Sequence, residues 1–501
     1  MFGINSLGRI NEFCRRGIIW HADCDVTGKA CSRYREAALR WLAHGSPGGA
    51  GMRNRTAVCI VGLVLALSVA VKVKASGESP AGSFRDSSGE VATVTSTGTI
   101  NHGSAFFQNL GTNGRTCATC HAESDAWGVS ADHIRARFFA TLGSDPIFRP
   151  VDGAVCPTAD VSTLKAKASA YRMLMAKGLI RVSMAIPSNA EFALVKVDDP
   201  YNCATAENMS LFRRPLPAAN LRFLSAVMWD GRETVPNDLT ASLTNQAADA
   251  TMGHAQGQRP TDAQLQDIVS FETDLYTAQL SDRKAGMLDD DGAAGGPAAL
   301  TGQAFHIGIN DPLGGDPSGQ SFNPEAFTLY AAWKNAYSGN DDRDQARRSI
   351  ARGEELFNNF PIPITGVGGL NDVLNKPVVM GTCTTCHDSP NVGNHSVSVP
   401  LNIGVSDEAQ RTPDLPLYTF QCSNGAIVKV SDPGRALITG KCSDLGKFKG
   451  PVLRGLAARA PYFHNGMAAD LTDAVSFYDQ RFNLHLTRQQ KKDLVAFLKT
   501  L

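Results

Sequence analysis

Two copies of one short cysteine–histidine pattern constrain this chain more than any other feature. They are Cys117-Ala-Thr-Cys120-His121 and Cys383-Thr-Thr-Cys386-His387. Two thiols one helical turn apart can bond covalently to the two vinyl-derived carbons of one porphyrin edge, and the adjacent imidazole becomes an axial iron ligand. Each pattern therefore predicts one covalently attached c-type haem, with His121 and His387 as the iron ligands.

Two other chemistries use paired cysteines. A structural zinc site combines two Cys-x-x-Cys pairs that are normally close in sequence, whereas these pairs lie more than 260 residues apart. A thioredoxin-like redox pair sits in a βαβ setting, for which the sequence gives no signal. Haem attachment is therefore the favoured interpretation.

The surroundings of the two motifs repeat. Residues 103–109 and 353–359 precede them, each with an apolar pair expected on the face of a helix that packs on a porphyrin. Downstream, residues 261–271 match residues 487–497, where a threonine that could cap a helix precedes an apolar stripe. Strand signals are weak. The sequence predicts a mainly α fold of two class I cytochrome c-like domains, each with one covalently attached haem, with long loop insertions.

The first part of the chain reads as an export signal. Residues 56–71 form an uncharged apolar run after Arg53 and Arg55, with small residues at both ends of the triplet 73–75. The run is shorter than the ~20 residues of a membrane helix, so an uncleaved anchor is less favoured. Because a signal peptide opens a chain, translation is expected to start at Met52. Residues 1–51 would then be an over-extended start or, alternatively, a cytoplasmic extension ahead of an anchor.

The predicted divisions are 52–75 for the signal peptide, 76–335 for the first domain and 336–501 for the second. Export to an oxidising periplasm predicts disulfides among the four remaining cysteines of the mature chain. Three pairings exist, and the simplest joins Cys156 to Cys203 and Cys422 to Cys442. Basic and acidic residues balance at 48 each without a basic patch, which excludes a nucleic-acid binder by composition.

Three further segments carry a family resemblance. They are Met228-Trp-Asp-Gly-Arg232, Leu453-Arg-Gly455 and Ala460-Pro-Tyr-Phe-His-Asn-Gly466. Together with the two haem motifs they resemble the bacterial di-haem cytochrome c peroxidase and MauG superfamily over most of residues 100–501. The resemblance implies an N-terminal haem that reacts with hydrogen peroxide and a six-coordinate C-terminal haem that transfers electrons.

The resemblance also implies roles for individual residues. Trp229 would relay electrons between the haems, and Tyr478 would be the sixth ligand of the C-terminal iron, with Met467 as its rival. His464 and Arg454 would contact haem propionates. The resemblance further implies a calcium ion between the domains, whose ligands the sequence does not identify.

The acid–base group at the peroxide site departs from the family pattern. An ungapped count from Trp229 places Asp249 where the family carries a glutamate, and His254 is a second candidate for moving the proton. Between the first motif and Trp229 the only histidine is His133, which sits at a helix start and is not expected to bind iron. The first haem is therefore expected to have an open coordination site.

These observations predict a periplasmic peroxidase that takes electrons from a small cytochrome c or a cupredoxin, with a homodimer compatible with the sequence. Three alternatives remain. A MauG-like enzyme would store oxidising equivalents on both haems to oxidise a protein or organic substrate. A non-catalytic di-haem electron carrier would have two six-coordinate irons. A haem oxygenase would need an apolar substrate pocket, which insertions at 140–215 and 300–340 could build.

Overall fold

The computed structural model of the protein describes residues 81–336 and 339–501. The predicted signal peptide, the start at Met52 and residues 1–51 lie outside this part. The described helices are α1 (Ala131–Thr141), α2 (Leu164–Ala170), α3 (Arg172–Lys177), α4 (Leu239–Gly253), α5 (Asp262–Thr273), α6 (Ala298–Thr301), α7 (Trp333–Ala336), α8 (Asp342–Asn359), α9 (Ala436–Thr439), α10 (Leu471–Arg481) and α11 (Arg488–Leu498).

Strands are more numerous than the sequence indicated. They are β1 (Gly82–Arg85), β2 (Gly89–Val94), β3 (Ile180–Met184), β4 (Phe192–Asp198), β5 (Met209–Arg213), β6 (Tyr276–Asp282), β7 (Gly286–Met287), β8 (Ile362–Thr365), β9 (Val378–Gly381), β10 (Leu417–Cys422) and β11 (Ile427–Val430). Within the described residues they form four antiparallel sheets, ordered β1-β2-β6-β7, β11-β10-β4, β3-β5 and β8-β9.

The mainly α prediction therefore needs correction in part, because the strands escape a local pattern search. Every residue of β5 is buried, so it lacks the alternation of a half-exposed strand. The strand β2 pairs with β6, which lies almost 190 residues later in the chain. Strand formation here depends on distant partners that a window of sequence does not contain.

The predicted repeat of closing helices is confirmed. In α5 the Thr261 hydroxyl accepts the Gln264 N–H, and the Gln264 side chain accepts the Thr261 N–H. Thr487 and Gln490 form the same capping box at α11. Helix α8 crosses α11 at Gly353, where an added Cβ would collide with a backbone oxygen of α11. The repeat therefore has a structural basis in cap chemistry and close helix packing.

The helix predicted before the first haem motif does not form. The chain makes only a 3-10 turn, Ala105–Phe107, where α8 stands in the second half. The Asp267 carboxylate accepts the Ser104 hydroxyl and the Ala105 N–H at the start of this turn, and Gln108 is already extended. With both ends fixed in this way, no room remains for a full helical turn.

The two predicted halves share both a sheet and a hydrophobic cluster. Strand β4 of the first half pairs with β10 of the second. Val392 and Val452 of the second half pack with Leu221 and Tyr276 of the first. The division at residues 335 and 336 thus stays a prediction, and extensive contacts cross it.

The predicted disulfides Cys156–Cys203 and Cys422–Cys442 are both present. The other cysteines in the described residues are the four of the haem motifs, which are free. A helix with the length and apolarity to cross a membrane does not occur in residues 81–336 and 339–501.

Candidate functional site: two haem cavities

Both cysteine–histidine motifs adopt the same local structure. Cys117–Thr119 and Cys383–Thr385 are 3-10 turns. The Thr119 and Thr385 hydroxyls accept the backbone N–H of Thr116 and Thr382, each at 2.9 Å. The threonine two residues after the first cysteine thus closes the turn that brings the two thiols and the histidine together.

Each motif histidine is oriented by a backbone carbonyl six residues later. His121 Nδ1 lies 3.1 Å from the Trp127 carbonyl oxygen, and His387 Nδ1 lies 2.6 Å from that of Gly393. Trp127 and Gly393 both have left-handed backbone, with φ of 60° and 78°. An Nδ1–H donated to a carbonyl leaves Nε2 free to bind iron.

The motif histidines are also kept neutral, as iron ligation requires. Burial and the nearby His254 together lower the pKa of His121 to about 4, although the bond to the Trp127 carbonyl acts in the opposite direction. Burial also lowers the pKa of His387. A buried neutral imidazole is the protonation state that a metal ligand needs.

A large cavity opens beside each motif. The cavities enclose about 1480 Å³ and 1800 Å³ of space outside the protein atoms, including the part that is open to solvent. Cys117, Cys120 and His121 line the first cavity, and Cys383, Cys386 and His387 line the second. Free thiols, an available imidazole and a cavity of this size coincide twice, which fits two covalently attached porphyrins.

A histidine–carboxylate pair lines the first cavity. His254, which follows α4, places Nδ1 at 2.6 Å from Oδ2 of Asp152, and Arg115 Nη1 donates to the same oxygen at 2.8 Å. Burial opposes ionisation of Asp152, but His254 and Arg115 outweigh it, so its pKa lies below the usual value. Because Asp152 is an ionised acceptor, His254 Nδ1 carries the proton and Nε2 is left as the basic nitrogen.

The other predicted acid, Asp249, is not brought into this cavity. It lies on the exposed side of α4 beside Glu233, whose pKa is raised by burial and by Asp249. The cavity-facing side of α4 instead carries Gln246 and Thr251. An ungapped count could not detect this, because one residue along a helix rotates a side chain by about 100°.

Three residues of the first cavity were missed by sequence reasoning. Asp152 lies in the long insertion, far from any motif. Glu272 follows the last residue of the repeat match on α5, and Met228 precedes Trp229. Comparing the two halves one position further would have singled out Glu272, because Leu498 holds the same place in α11.

His133 is half-exposed and pairs with Asp125 at 2.5 Å, and it does not line the first cavity. The expectation that it does not bind iron is consistent with this position. Among the described residues, the other histidine and methionine lining this cavity are His254 and Met228.

The second cavity contains one of the two rival sixth ligands. Tyr478 of α10 lines it together with His387, whereas Met467 does not. Phe463, Phe477 and Phe482 surround the Tyr478 ring. Burial raises the pKa of Tyr478, and the nearby motif cysteines add to the rise. An iron would therefore have to supply the positive charge that stabilises a phenolate there.

Trp229 lies between the two cavities and lines both of them. Its indole N–H donates to the Arg214 carbonyl oxygen at 2.8 Å, and its own carbonyl accepts the Lys449 N–H at 2.9 Å. Its ring also meets His464 edge to face at 6.1 Å between centroids. The five residues shared by both linings are Arg214, Pro215, Leu216, Trp229 and Lys449.

Asp230 of the Trp-Asp-Gly-Arg segment has a structural role, whereas Arg232 lines the first cavity. Asp230 is fully buried and bonds Arg213, which also makes two bonds to Asp432. Nearby charges lower the pKa of both carboxylates against the effect of burial. This ion triad ties the first half to the second just beside Trp229.

Buried cations without carboxylate partners border the cavities. Burial lowers the pKa of Lys449 to about 7, that of Arg214 to about 9 and that of Arg459 to about 10. The Arg459 Nε atom has no hydrogen-bond partner. Uncompensated buried cations are costly, and the propionates of a porphyrin would offset that cost. The residues present thus fit haem.

Of the two residues predicted to contact haem propionates, one lines a cavity and the other does not. His464 lines the second cavity, stacked on Phe448 with ring centroids 3.9 Å apart, and burial lowers its pKa to about 4. His464 would therefore be a neutral neighbour rather than a cation. Arg454 is buried but lines neither cavity, and its Nη2 donates to the Gly296 carbonyl at 3.0 Å. The cavity-lining cations without carboxylate partners are Arg214, Lys449 and Arg459.

Calcium stays a prediction. In the part of the chain that the structure describes, no group of three or more His, Cys, Asp or Glu side chains is arranged to hold a metal ion.

Several curated proteins are similar to parts of this chain. The cytochrome-c peroxidase IdrP2 of Pseudomonas sp. (strain SCT) is 34% identical over 202 residues, which are 36% of this chain and 53% of that protein. IdrP2 of Denitromonas iodatirespirans is 35% identical over 133 residues, or 24% and 36% of the two chains. The cytochrome c551 peroxidase of Nitrosomonas europaea is 32% identical over 120 residues, or 24% and 30%.

Over the matched segments, the chain is similar to bacterial cytochrome c peroxidases. The resemblance inferred from the motifs is thereby confirmed. The chain spans about a third to a half of the length of these curated relatives. No protein-family model matches it.

A solved structure, a MauG-like protein associated with microbial copper homeostasis, is 16% identical with a TM-score of 0.37. The alignment covers 79% of this chain and 85% of that one. A likeness at this level is too weak to support a conclusion about the fold.

Proposed function

We propose that this protein is a di-haem peroxidase that reduces hydrogen peroxide at the haem held by His121. Electrons would enter at the haem held by His387 from a small cytochrome c or cupredoxin. When bound, the haems supply the iron chemistry of peroxide reduction and electron exchange. The observation that carries the proposal is the Asp152–His254 pair lining the first cavity.

The chain's own contribution at the first cavity is proton handling. Peroxide cleavage needs a group that removes a proton from one oxygen and returns it to the leaving oxygen. His254 Nε2 performs both transfers, because the bond to Asp152 fixes the orientation of the ring. Gln246 and Thr251 add hydrogen-bonding groups that orient the substrate. Asp249 has no part in this scheme because it lies outside the cavity.

Electron transfer between the sites is assigned to Trp229. Its indole is the only aromatic side chain among the described residues that lines both cavities. The Arg214 carbonyl and the Lys449 N–H hold the residue at both its side chain and its backbone. The two disulfides support an oxidising compartment, which for this proposal is the periplasm.

The test is peroxide-dependent oxidation of a reduced small cytochrome c, combined with carbon monoxide binding to the fully reduced protein. The proposal expects turnover and binding of one carbon monoxide per chain, at the first haem. H254Q should lose most of the turnover and keep both haems. Absence of carbon monoxide binding would leave a di-haem electron carrier instead.

A second candidate function is favoured by Tyr478 in the second cavity. A phenolate ligand stabilises oxidised iron, which suits a MauG-like enzyme that stores oxidising equivalents on both haems. Low-temperature EPR after peroxide addition distinguishes the MauG-like function from the peroxidase function. A long-lived oxidised state that reduced cytochrome c does not discharge would favour the MauG-like function. Rapid discharge by cytochrome c would favour the peroxidase.

A further inference from the structure

The two haem cavities differ at one equivalent position of the repeat. Ile268 and Glu272 of α5 line the first cavity one helical turn apart, and Leu494 and Leu498 of α11 line the second. Both helices begin with the same threonine–glutamine capping box. The first cavity therefore has a carboxyl group where the second has an isobutyl group.

Glu272 is buried without compensation. Glu272 is only 5% exposed, and its Oε2 atom has no hydrogen-bond partner. An unpartnered buried polar group costs about 1–3 kcal/mol, and an ionised one costs more. A leucine would avoid that cost, as it does at position 498. The structure therefore reveals no role for this carboxyl group in stabilising the fold.

The surroundings leave Glu272 as an isolated acid. The titratable side chains on α5 and on the elements packed against it are Asp262, Asp267, Asp249, His254, Arg222, Tyr276 and Cys117. The cavity that Glu272 lines also carries Arg115, His121, Asp152, Arg213, Arg214, Arg232 and Lys449. Asp267 is engaged with Ser104 and Ala105. Cys117 is close enough for Glu272 to raise its pKa, and haem attachment would remove that thiol. Burial alone raises the pKa of Glu272 to about 8.

We propose that Glu272 is a redox-linked proton site of the first haem, which binds a proton when that haem gains an electron. In the oxidised protein the positive charge of the haem favours the carboxylate, and reduction removes one unit of that charge. One electron comes from the donor protein and one proton from solvent through the cavity. An O–H bond forms on Glu272, and no bond in the protein breaks. The inference rests on the proposed haem at His121.

The test is a spectroelectrochemical titration of the holoprotein between pH 5.5 and 9. In the wild type, the potential of the first haem should fall as pH rises, with about one proton taken up per electron over part of this range. E272Q and E272L should lose this dependence. E272L is expected to fold because Leu498 occupies the matching position. D262N, at the exposed start of the same helix, should behave as the wild type.

Several outcomes would overturn the inference. They are a pH-independent first haem in the wild type, a pH dependence retained in both Glu272 variants, or equal changes at the second haem. An independent readout is the infrared difference spectrum on reduction, in which a protonated carboxyl signal should appear in the wild type and be missing from E272Q. Neither readout requires peroxide turnover. If turnover stands while the pH dependence is unchanged in E272Q, this inference fails and the peroxidase proposal survives.

Discussion

The Nδ1 atom of His254 lies 2.6 Å from Oδ2 of Asp152, although 102 residues separate the two in sequence. The contact joins the end of α4 to the insertion that follows α1. Arg115, two residues before the first haem motif, completes the cluster. The pair thus links the motif, the insertion and the cavity-lining helix in one hydrogen-bonded unit.

Asp152→Asn should lower the rate of peroxide turnover by about 10- to 100-fold, because the amide no longer fixes the His254 tautomer. Stopped-flow kinetics with peroxide measures the rate, and haem absorbance checks that both haems remain. D160N, a fully exposed change in the same insertion, is the control. D249N tests the sequence-based assignment, and a larger loss there than in D152N would contradict the role of the pair.

Trp229→Phe should slow electron transfer between the haems while leaving both haems attached. The substitution keeps an aromatic ring but removes the indole and its bond to Arg214. Rapid-mixing spectroscopy after half-reduction follows the exchange between the two haems. Trp333→Phe is the matched control, since that indole is fully buried away from both cavities and bonds the Asp290 carbonyl. Equal rates in both variants would remove Trp229 from the electron path.

Tyr478→Phe should change the axial ligation of the C-terminal iron, because the phenol is the predicted ligand inside the second cavity. EPR of the oxidised protein should show one low-spin signal altered and the other haem unchanged. Met467→Leu nearly conserves volume and should leave the spectrum intact. A spectrum altered by M467L but not by Y478F would reverse the assignment.

Arg213→Met should reverse the sign of the pH dependence of stability near neutrality. In the wild type, Asp230 and Asp432 have lowered pKa values, so their contribution is full at neutral pH and is lost as pH falls through those values. Without Arg213, the carboxylates of Asp230 and Asp432 remain buried but have less positive charge nearby, which raises their pKa values. The variant should lose about 3–5 kcal/mol at pH 7 and recover part of it by pH 5.

Urea unfolding of wild type and R213M at pH 7 and pH 5 measures this difference. R435M, which removes a single bond from a guanidinium to the Asp230 carbonyl, is the control for loss of a nearby arginine. A stability loss in R213M that stays constant between the two pH values would show that the carboxylates keep other partners.

Replacing Cys117 and Cys120 by alanine should remove one covalent haem per chain, and replacing Cys383 and Cys386 should remove the other. The reason is that each cavity holds its own pair of free thiols. Mass spectrometry of the intact protein counts the haems. The double replacement C156A/C203A, which removes a disulfide, should leave two. A wild-type mass with fewer than two haems would contradict the attachment.

The sequence predicted correctly several features that depend on residues close together in the chain. They are the threonine caps of α5 and α11 and the disulfide between Cys422 and Cys442, each of which arises from a short spacing. Tyr478 lines the second cavity because the period of α10 directs it there, and its role as the sixth ligand stays a prediction.

Contacts between distant segments could only be decided by the tertiary structure. Asp152 meets His254 because the insertion folds back over α4, and Asp249 leaves the cavity because helix rotation turns it outward. Strand β4 pairs with β10. Arg214, Lys449 and Arg459 line the cavities, whereas the predicted Arg454 does not. Each of these depends on which surfaces the packed chain brings together, and local spacing contains no information about that packing.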